Sequence, residues 1–180
     1  PFSSLSKASL PPVGRAGGLG GGASHRMDGV LSAIRKLADG RLCSPGPMQH
    51  AIAAALTSDR SHQDEFIRQL KARAAVSVER LNAIDGISCV PPASAFYVMP
   101  KVDLPAGVTD EDYIVALLRE TGVLCVYGSG FGLPAADGFF RIVFLASPDE
   151  LHEIYDLIAD FTPRFLETAG RAALGASAGR

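Results

Sequence analysis

Lys7 stands at the end of a serine-rich run, Ser3-Ser4-Leu5-Ser6-Lys7, with Arg15 eight positions further on. An amine that attacks a carbonyl needs a depressed pKa, from burial or from a nearby cation, and Arg15 is a candidate for that cation. A guanidinium also holds a phosphate in a fork of parallel donors. Lysine, arginine and serines together suit an aldehyde that carries a phosphate; the alternative is a solvated surface lysine. A second arginine, Arg141, lies within the apolar run Phe139-Phe140-Arg141-Ile142-Val143-Phe144. A cation buried there needs a partner, which is either a structural carboxylate of the protein or a carboxylate on a ligand.

Other chemistries find less support. Gly17, Gly18, Gly20, Gly21 and Gly22 do not form G-x-G-x-x-G, and no strand is expected before them, so a dinucleotide loop is rejected. His25, His50, His62 and His152 have no acid or cysteine at metal-ligand spacing, and no metal site is expected. Cys43, Cys89 and Cys125 are too far apart for a metal knuckle and odd in number for a disulfide framework. They are expected to be reduced thiols used as small core residues in a cytoplasmic protein.

The elements that must carry these residues can be read from periodicity and end signals. Residues 1–22 are rich in Ser, Pro and Gly and read as loop. Met27, Val30, Leu31, Ile34 and Leu37 recur at helical steps, predicting a helix from Ser24, its cap, to about Ala38. A turn at Ser44-Pro45-Gly46-Pro47 precedes a short alanine-rich helix, Met48 to Leu56, expected to be buried nearly all round. The longest helical pattern runs from Asp59 to about Ala83 and reads as a connector between lobes. Ile87 to Val90, Ala95 to Met99, Val123 to Tyr127 and Phe139 to Leu145 read as strands. Thr109, followed by Asp110, Glu111 and Asp112, predicts a helix start, and Gly122 its end. Ser147-Pro148-Asp149-Glu150 predicts another, with its buried face on Leu151, Ile154, Leu157, Ile158, Phe161 and Phe165 and fraying from Thr168. Strands alternating with helices after residue 87 imply an α/β or α+β lobe.

With 17 basic against 19 acidic residues, the net charge of −2 offers no electrostatic footprint for nucleic acid or an anionic membrane surface. No uncharged apolar run reaches the length of a membrane span. Neither nucleic acid nor membrane is an expected partner. Pro1 is not an initiator and residues 1–22 lack the apolar core of a signal peptide, so the sequence is expected to be a cut piece of a longer chain.

Three stretches, taken in order, carry a family resemblance. They are Ser4-Leu5-Ser6-Lys7 followed by Arg15; Arg41-Leu42-Cys43, Pro47 and Gln49-His50-Ala51-Ile52, then Gly86 to Val90 and Ala95-Phe96-Tyr97 ahead of Pro100; and Gly128-Ser129-Gly130-Phe131-Gly132 followed by Phe140-Arg141-Ile142. The sequence resembles the C-terminal part of the class I/II aminotransferases, the pyridoxal-phosphate enzymes of fold type I, and its second stretch is most similar to bacterial alanine-type transaminases. That resemblance implies an α/β fold in which 1–58 are a remnant of the cofactor-binding large domain. Residues 59–84 would be the interdomain helix and 85–168 the small C-terminal domain; the tail, 169–180, is expected from its small and polar residues to be disordered. It implies that Lys7 holds pyridoxal 5'-phosphate and then moves a proton at the substrate α-carbon. Ser4, Ser6 and Arg15 would bind the cofactor phosphate, and Arg141 would grip the substrate α-carboxylate. The implied reaction moves an amino group between an amino acid, alanine or glutamate, and a 2-oxo acid, in a homodimer. The competing expectations are another reaction of the same fold type, a lyase, decarboxylase or synthase, and a truncated chain without catalysis.

Overall fold

The computed structural model describes the backbone of residues 2–4, 17–19, 27–41 and 46–178, and the side chains of 27–41, 46–47 and 49–172. The chain divides into two compact units, Pro1–Glu65 and Phe66–Arg180. The division falls inside helix α3, Ser61–Asn82, in the stretch that the sequence reading assigns to the connector.

In the first unit, strand β1 (Phe2–Ser4) pairs antiparallel with β2 (Gly17–Leu19), Phe2 opposite Leu19 and Ser4 opposite Gly17. These strands correct the expectation of loop throughout 1–22. A glycine weakens a strand by its entropy and missing side chain, yet its backbone still makes the ladder bonds. Helix α1 is Asp28–Asp39 and α2 is Gly46–Thr57. Helix α1 has no buried residue, and Leu37 is 78% exposed. The expectation that α2 is buried nearly all round is also corrected, because its described residues are exposed or half-buried, Leu56 among them. An alanine-rich composition permits burial, but only a facing layer produces it.

The second unit packs helices on antiparallel strands. Strand β3 (Ile87–Ser88) pairs with β5 (Lys101–Val102), and β7 (Phe140–Val143) lies between β4 (Tyr97–Val98) and β6 (Val126–Tyr127). The run from Tyr97 to Val102 follows β7 along its length. Tyr97 is opposite Val143, Lys101 bridges to Phe139, and the Val102 amide donates to the Gly138 carbonyl at 2.9 Å. Helix α4 is Asp110–Thr121 and α5 is Pro148–Ala178.

Side-chain alternation along β7 sends Phe140 and Ile142 into the core and leaves Arg141 and Val143 on the other face. The core is completed by Val98, Val102, Tyr113, Leu117, Phe144, Leu151, Tyr155, Ile158 and Phe161. Tyr113 sits at its centre, with its ring against Phe140, Phe161 and Phe165 and its hydroxyl 2.8 Å from that of Thr162. Thr162 in turn donates to the Ile158 carbonyl at 2.7 Å, so both buried hydroxyls are satisfied.

The helix ends follow the residues expected to make them. Thr109 caps α4 in a reciprocal box with Asp112, and Gly122 closes it in the left-handed conformation at φ 77°. At the start of α5, Glu150 accepts from the amide and hydroxyl of Ser147, whose oxygen accepts from the Glu150 amide. The expected fraying from Thr168 is not observed, since α5 continues to Ala178. Alanines dominate that stretch, and Glu167 pairs with Arg171 one turn on, which favours continuation.

Candidate functional site

Arg141 is placed by the pleat of β7 on the face of the sheet away from the core, half-buried. Its guanidinium carbon stands 4.8 Å from the centre of the Tyr97 ring and 4.4 Å from that of Phe131. Two aromatic faces therefore flank a delocalised cation, an arrangement that attracts it electrostatically and restricts its rotation. The buried Nε has no hydrogen-bond partner. Among the described residues no carboxylate stands within ion-pair distance of Arg141, so they supply none of the structural partners that the sequence left open.

An unmet donor in a buried position costs free energy that a ligand acceptor would return. The rings stand over the guanidinium carbon, and its nitrogens remain the donors that a ligand would meet. A planar carboxylate accepting from two guanidinium nitrogens suits that chemistry.

Each wall of the site has a local cause. Tyr97 is on β4, two positions along from the direct cross-strand neighbour of Arg141, and a long aromatic side chain reaches that diagonal. Just before it, Ala95 has φ 64°, a left-handed conformation that an L-residue adopts only when its surroundings hold it. The Phe144 amide donates to the Phe96 carbonyl at 3.1 Å, and the Phe96 and Tyr97 ring centres are 4.5 Å apart. Phe131 ends a 3-10 turn, Gly128–Phe131, closed by Gly132 at φ 88°. At Gly128 a side chain is excluded, because its Cβ would stand 2.6 Å from the Phe139 carbonyl oxygen. The Gly128 amide donates to that same oxygen at 2.7 Å, pinning the turn to the start of β7.

Of the sequence-predicted residues, the structure describes Arg141 fully and Ser4 only by its backbone, at the end of β1. Lys7, Ser6 and Arg15 lie in the connection between β1 and β2, outside the described residues. Three contributors to the arginine site carry no assigned role in the sequence reading: Tyr97, Phe131 and Asp110. The two aromatics stand within the family-like stretches, Tyr97 on a strand and Phe131 in a turn, and that membership was the available signal. Asp110 is 1% exposed, and its carboxylate accepts from the Ser129 amide at 2.6 Å and the Ser129 hydroxyl at 2.9 Å.

The cysteines offer no competing chemistry. Burial pushes the Cys89 thiol up to about 11 and the Cys125 thiol up to about 12. Neither is a thiolate near neutral pH, which fits their place in the core. Cys43 lies outside the described residues.

Comparison with known proteins places the chain in a family. A family model described as aminotransferase class I and II matches residues 2–158. The glutamate-pyruvate aminotransferase AlaA of Haemophilus influenzae is 38% identical over 146 residues, covering 78% of this chain and 35% of that protein. The alanine aminotransferase of Mycobacterium bovis is 34% identical over 166 residues, covering 89% of this chain and 38% of its own length. Among solved structures, an alanine aminotransferase from Pyrococcus furiosus matches with a TM-score of 0.83 at 33% identity, over 91% of this chain and 42% of that one. An aminotransferase from Escherichia coli matches at 0.80 and 33%, over 90% and 41%. The chain thus spans 35% and 38% of the two curated relatives, and its mixed helix and sheet architecture is a partial version of the fold of the solved structures.

Proposed function

The chain belongs to the class I and II aminotransferases, and from that premise we propose that it serves the transfer of an amino group from an amino acid to a 2-oxo acid. Alanine and 2-oxoglutarate, giving pyruvate and glutamate, are the favoured pair, in keeping with relatives described as a glutamate-pyruvate aminotransferase and an alanine aminotransferase. The observation that carries the reading is Arg141, a guanidinium held between two rings with its buried Nε unmet. Amino acid and 2-oxo acid share one feature, the carboxylate next to the reacting carbon. One rigid fork therefore serves both halves of the exchange. By fixing two oxygens of the substrate, Arg141 restricts rotation of the α-carbon and sets which of its bonds faces the reacting group. Tyr97 and Phe131 keep the fork in one orientation and exclude water from its faces.

Pyridoxal 5'-phosphate, the cofactor that the family implies, supplies an electron sink for the α-carbon when bound. The donor set near the start of the chain has the chemistry to hold it: an amine for the aldehyde, and a guanidinium with two hydroxyls for the phosphate. In this reading Lys7 would hold the cofactor through its aldehyde and move the proton at the substrate α-carbon, while Ser4, Ser6 and Arg15 would bind the phosphate. A homodimer located in the cytoplasm completes the proposal.

The test uses the complete gene product. With pyridoxal phosphate present it is expected to convert L-alanine and 2-oxoglutarate into equimolar pyruvate and glutamate, and borohydride is expected to fix the cofactor on Lys7, read by mass spectrometry of the peptide. Transfer that persists in Lys7→Ala, or cofactor fixed on another lysine, overturns the role of Lys7. Absence of transfer with any amino acid and 2-oxo acid overturns the activity.

A further inference from the structure

Asp110 is the one carboxylate that is fully buried among the described residues, and no cation neutralises it there. Burying a carboxylate without a counter-charge is costly, and hydrogen bonds offset that cost here. Oδ1 accepts from the Glu111 amide at 2.9 Å and the Ser129 hydroxyl at 2.9 Å; Oδ2 accepts from the Ser129 amide at 2.6 Å. Asp110 is also the first residue of α4, where the helix dipole favours a negative charge.

Helix capping does not require this arrangement. Thr109 and Asp112 already close the N-terminus of α4 reciprocally, and Asp112 does so from an exposed position. What Asp110 adds is a bond across 19 positions of sequence to the turn that ends at Phe131. Gly128 is fixed to Phe139 at one end of that turn, Ser129 is fixed to Asp110 next to it, and the Phe131 ring rests on Arg141 two residues later.

We propose that Asp110 is a positioning residue for the carboxylate site: through Ser129 it holds the turn that keeps Phe131 on the Arg141 guanidinium, and so keeps the fork pre-oriented for its ligand. The binding half of this inference rests on the reading of Arg141 as a carboxylate receptor; the geometric half does not. A pre-oriented fork loses less rotational freedom when its ligand arrives, so loosening the turn weakens binding even though no direct contact to the ligand is removed. The acid acts through Phe131 and Arg141.

The test follows the Arg141 Nε–H resonance in the complete gene product labelled with 15N-arginine, assigned by its loss in Arg141→Lys. In the unaltered protein the proton is expected at high field, shielded by the two ring faces. In Asp110→Asn and in Ser129→Ala it moves toward the position of a free arginine, further in the first, while Asp112→Asn, on the same helix, leaves it in place. Titration with acetate is expected to shift the same resonance, with affinity falling about three- to tenfold in Asp110→Asn, the size of one ordinary hydrogen bond. Should Asp110→Asn fail to fold, Ser129→Ala decides, since it removes one arm and keeps the backbone bond. A resonance unmoved in Ser129→Ala, and in Asp110→Asn where that folds, overturns the geometric half. Acetate affinity unchanged in the variants overturns the binding half. No response to acetate in the unaltered protein overturns the carboxylate reading of Arg141, and the ring shielding still judges the clasp.

Discussion

Helices α1 and α4 are each twelve residues long and each carries apolar residues at helical steps, yet they differ in nearly everything else. Helix α4 buries Asp110, Tyr113, Ile114 and Leu117, begins in a reciprocal cap and ends on a left-handed glycine. Helix α1 buries nothing, begins at Met27 without a side-chain cap, and ends at Gly40 in right-handed geometry. Periodicity alone therefore predicts that a helix forms and which side is apolar. Burial depends on what faces that side, and firm ends depend on a few residues just outside it.

The strongest challenge to this contrast is a pair of truncations. Phe140→Ala empties a site at the centre of the second unit, against Tyr113, and is expected to cost about 3–5 kcal/mol in denaturant unfolding. Leu37→Ala, in the exposed end of α1, is expected to change stability by less than about 0.5 kcal/mol. Equal losses would show that α1 is covered after all.

A smaller effect sharpens the comparison of ends. Thr109→Ala removes one half of the box and is expected to cost about 1 kcal/mol. Met27→Ser supplies the missing acceptor to α1 and is expected to increase helicity in circular dichroism, with little change in the unfolding of the second unit.

The smallest effect is electrostatic. Hydrogen bonds to Thr109 hold the Asp112 carboxyl below its ordinary 3.8, and those to Ser147 hold Glu150 below its ordinary 4.5. Because the folded forms bind protons less readily than the unfolded chain, their stabilisation is complete above those ordinary values and disappears as pH falls through the lowered ones. Asp112→Asn with Glu150→Gln is expected to flatten the stability profile between about pH 5 and about pH 3, and to leave its slope above about pH 6 unchanged. A profile equally steep in acid would assign the acid sensitivity elsewhere.

What the sequence makes legible is short in range. Thr109 and Asp112, Gly122, and Ser147 with Glu150 act within one turn of chain, and each is found where its residue type demands. Arg141 was also visible, because an ionised group amid Phe140, Ile142 and Phe144 contradicts its neighbours. The rest depends on partners far away in the chain. Lys101–Val102 has no local strand pattern and becomes β5 because Gly138 and Ile87 offer it backbone partners. Asp110, Glu111 and Asp112 look alike as first-turn acids, and only the approach of Ser129 separates a buried clasp from a cap. The aromatic walls belong to the same class: Tyr97 and Phe131 are brought to Arg141 by pairing and by a turn, neither encoded beside it.

The role proposed for Arg141 is to bind the carboxylate that an amino acid and a 2-oxo acid share. It is tested most directly by the KM values of Arg141→Lys for alanine and for 2-oxoglutarate in the complete gene product with pyridoxal phosphate. Lysine keeps the charge and loses the two-pronged fork, so both KM values are expected to rise together, about tenfold to a hundredfold. A variant with both KM values unchanged would show that Arg141 does not hold that carboxylate.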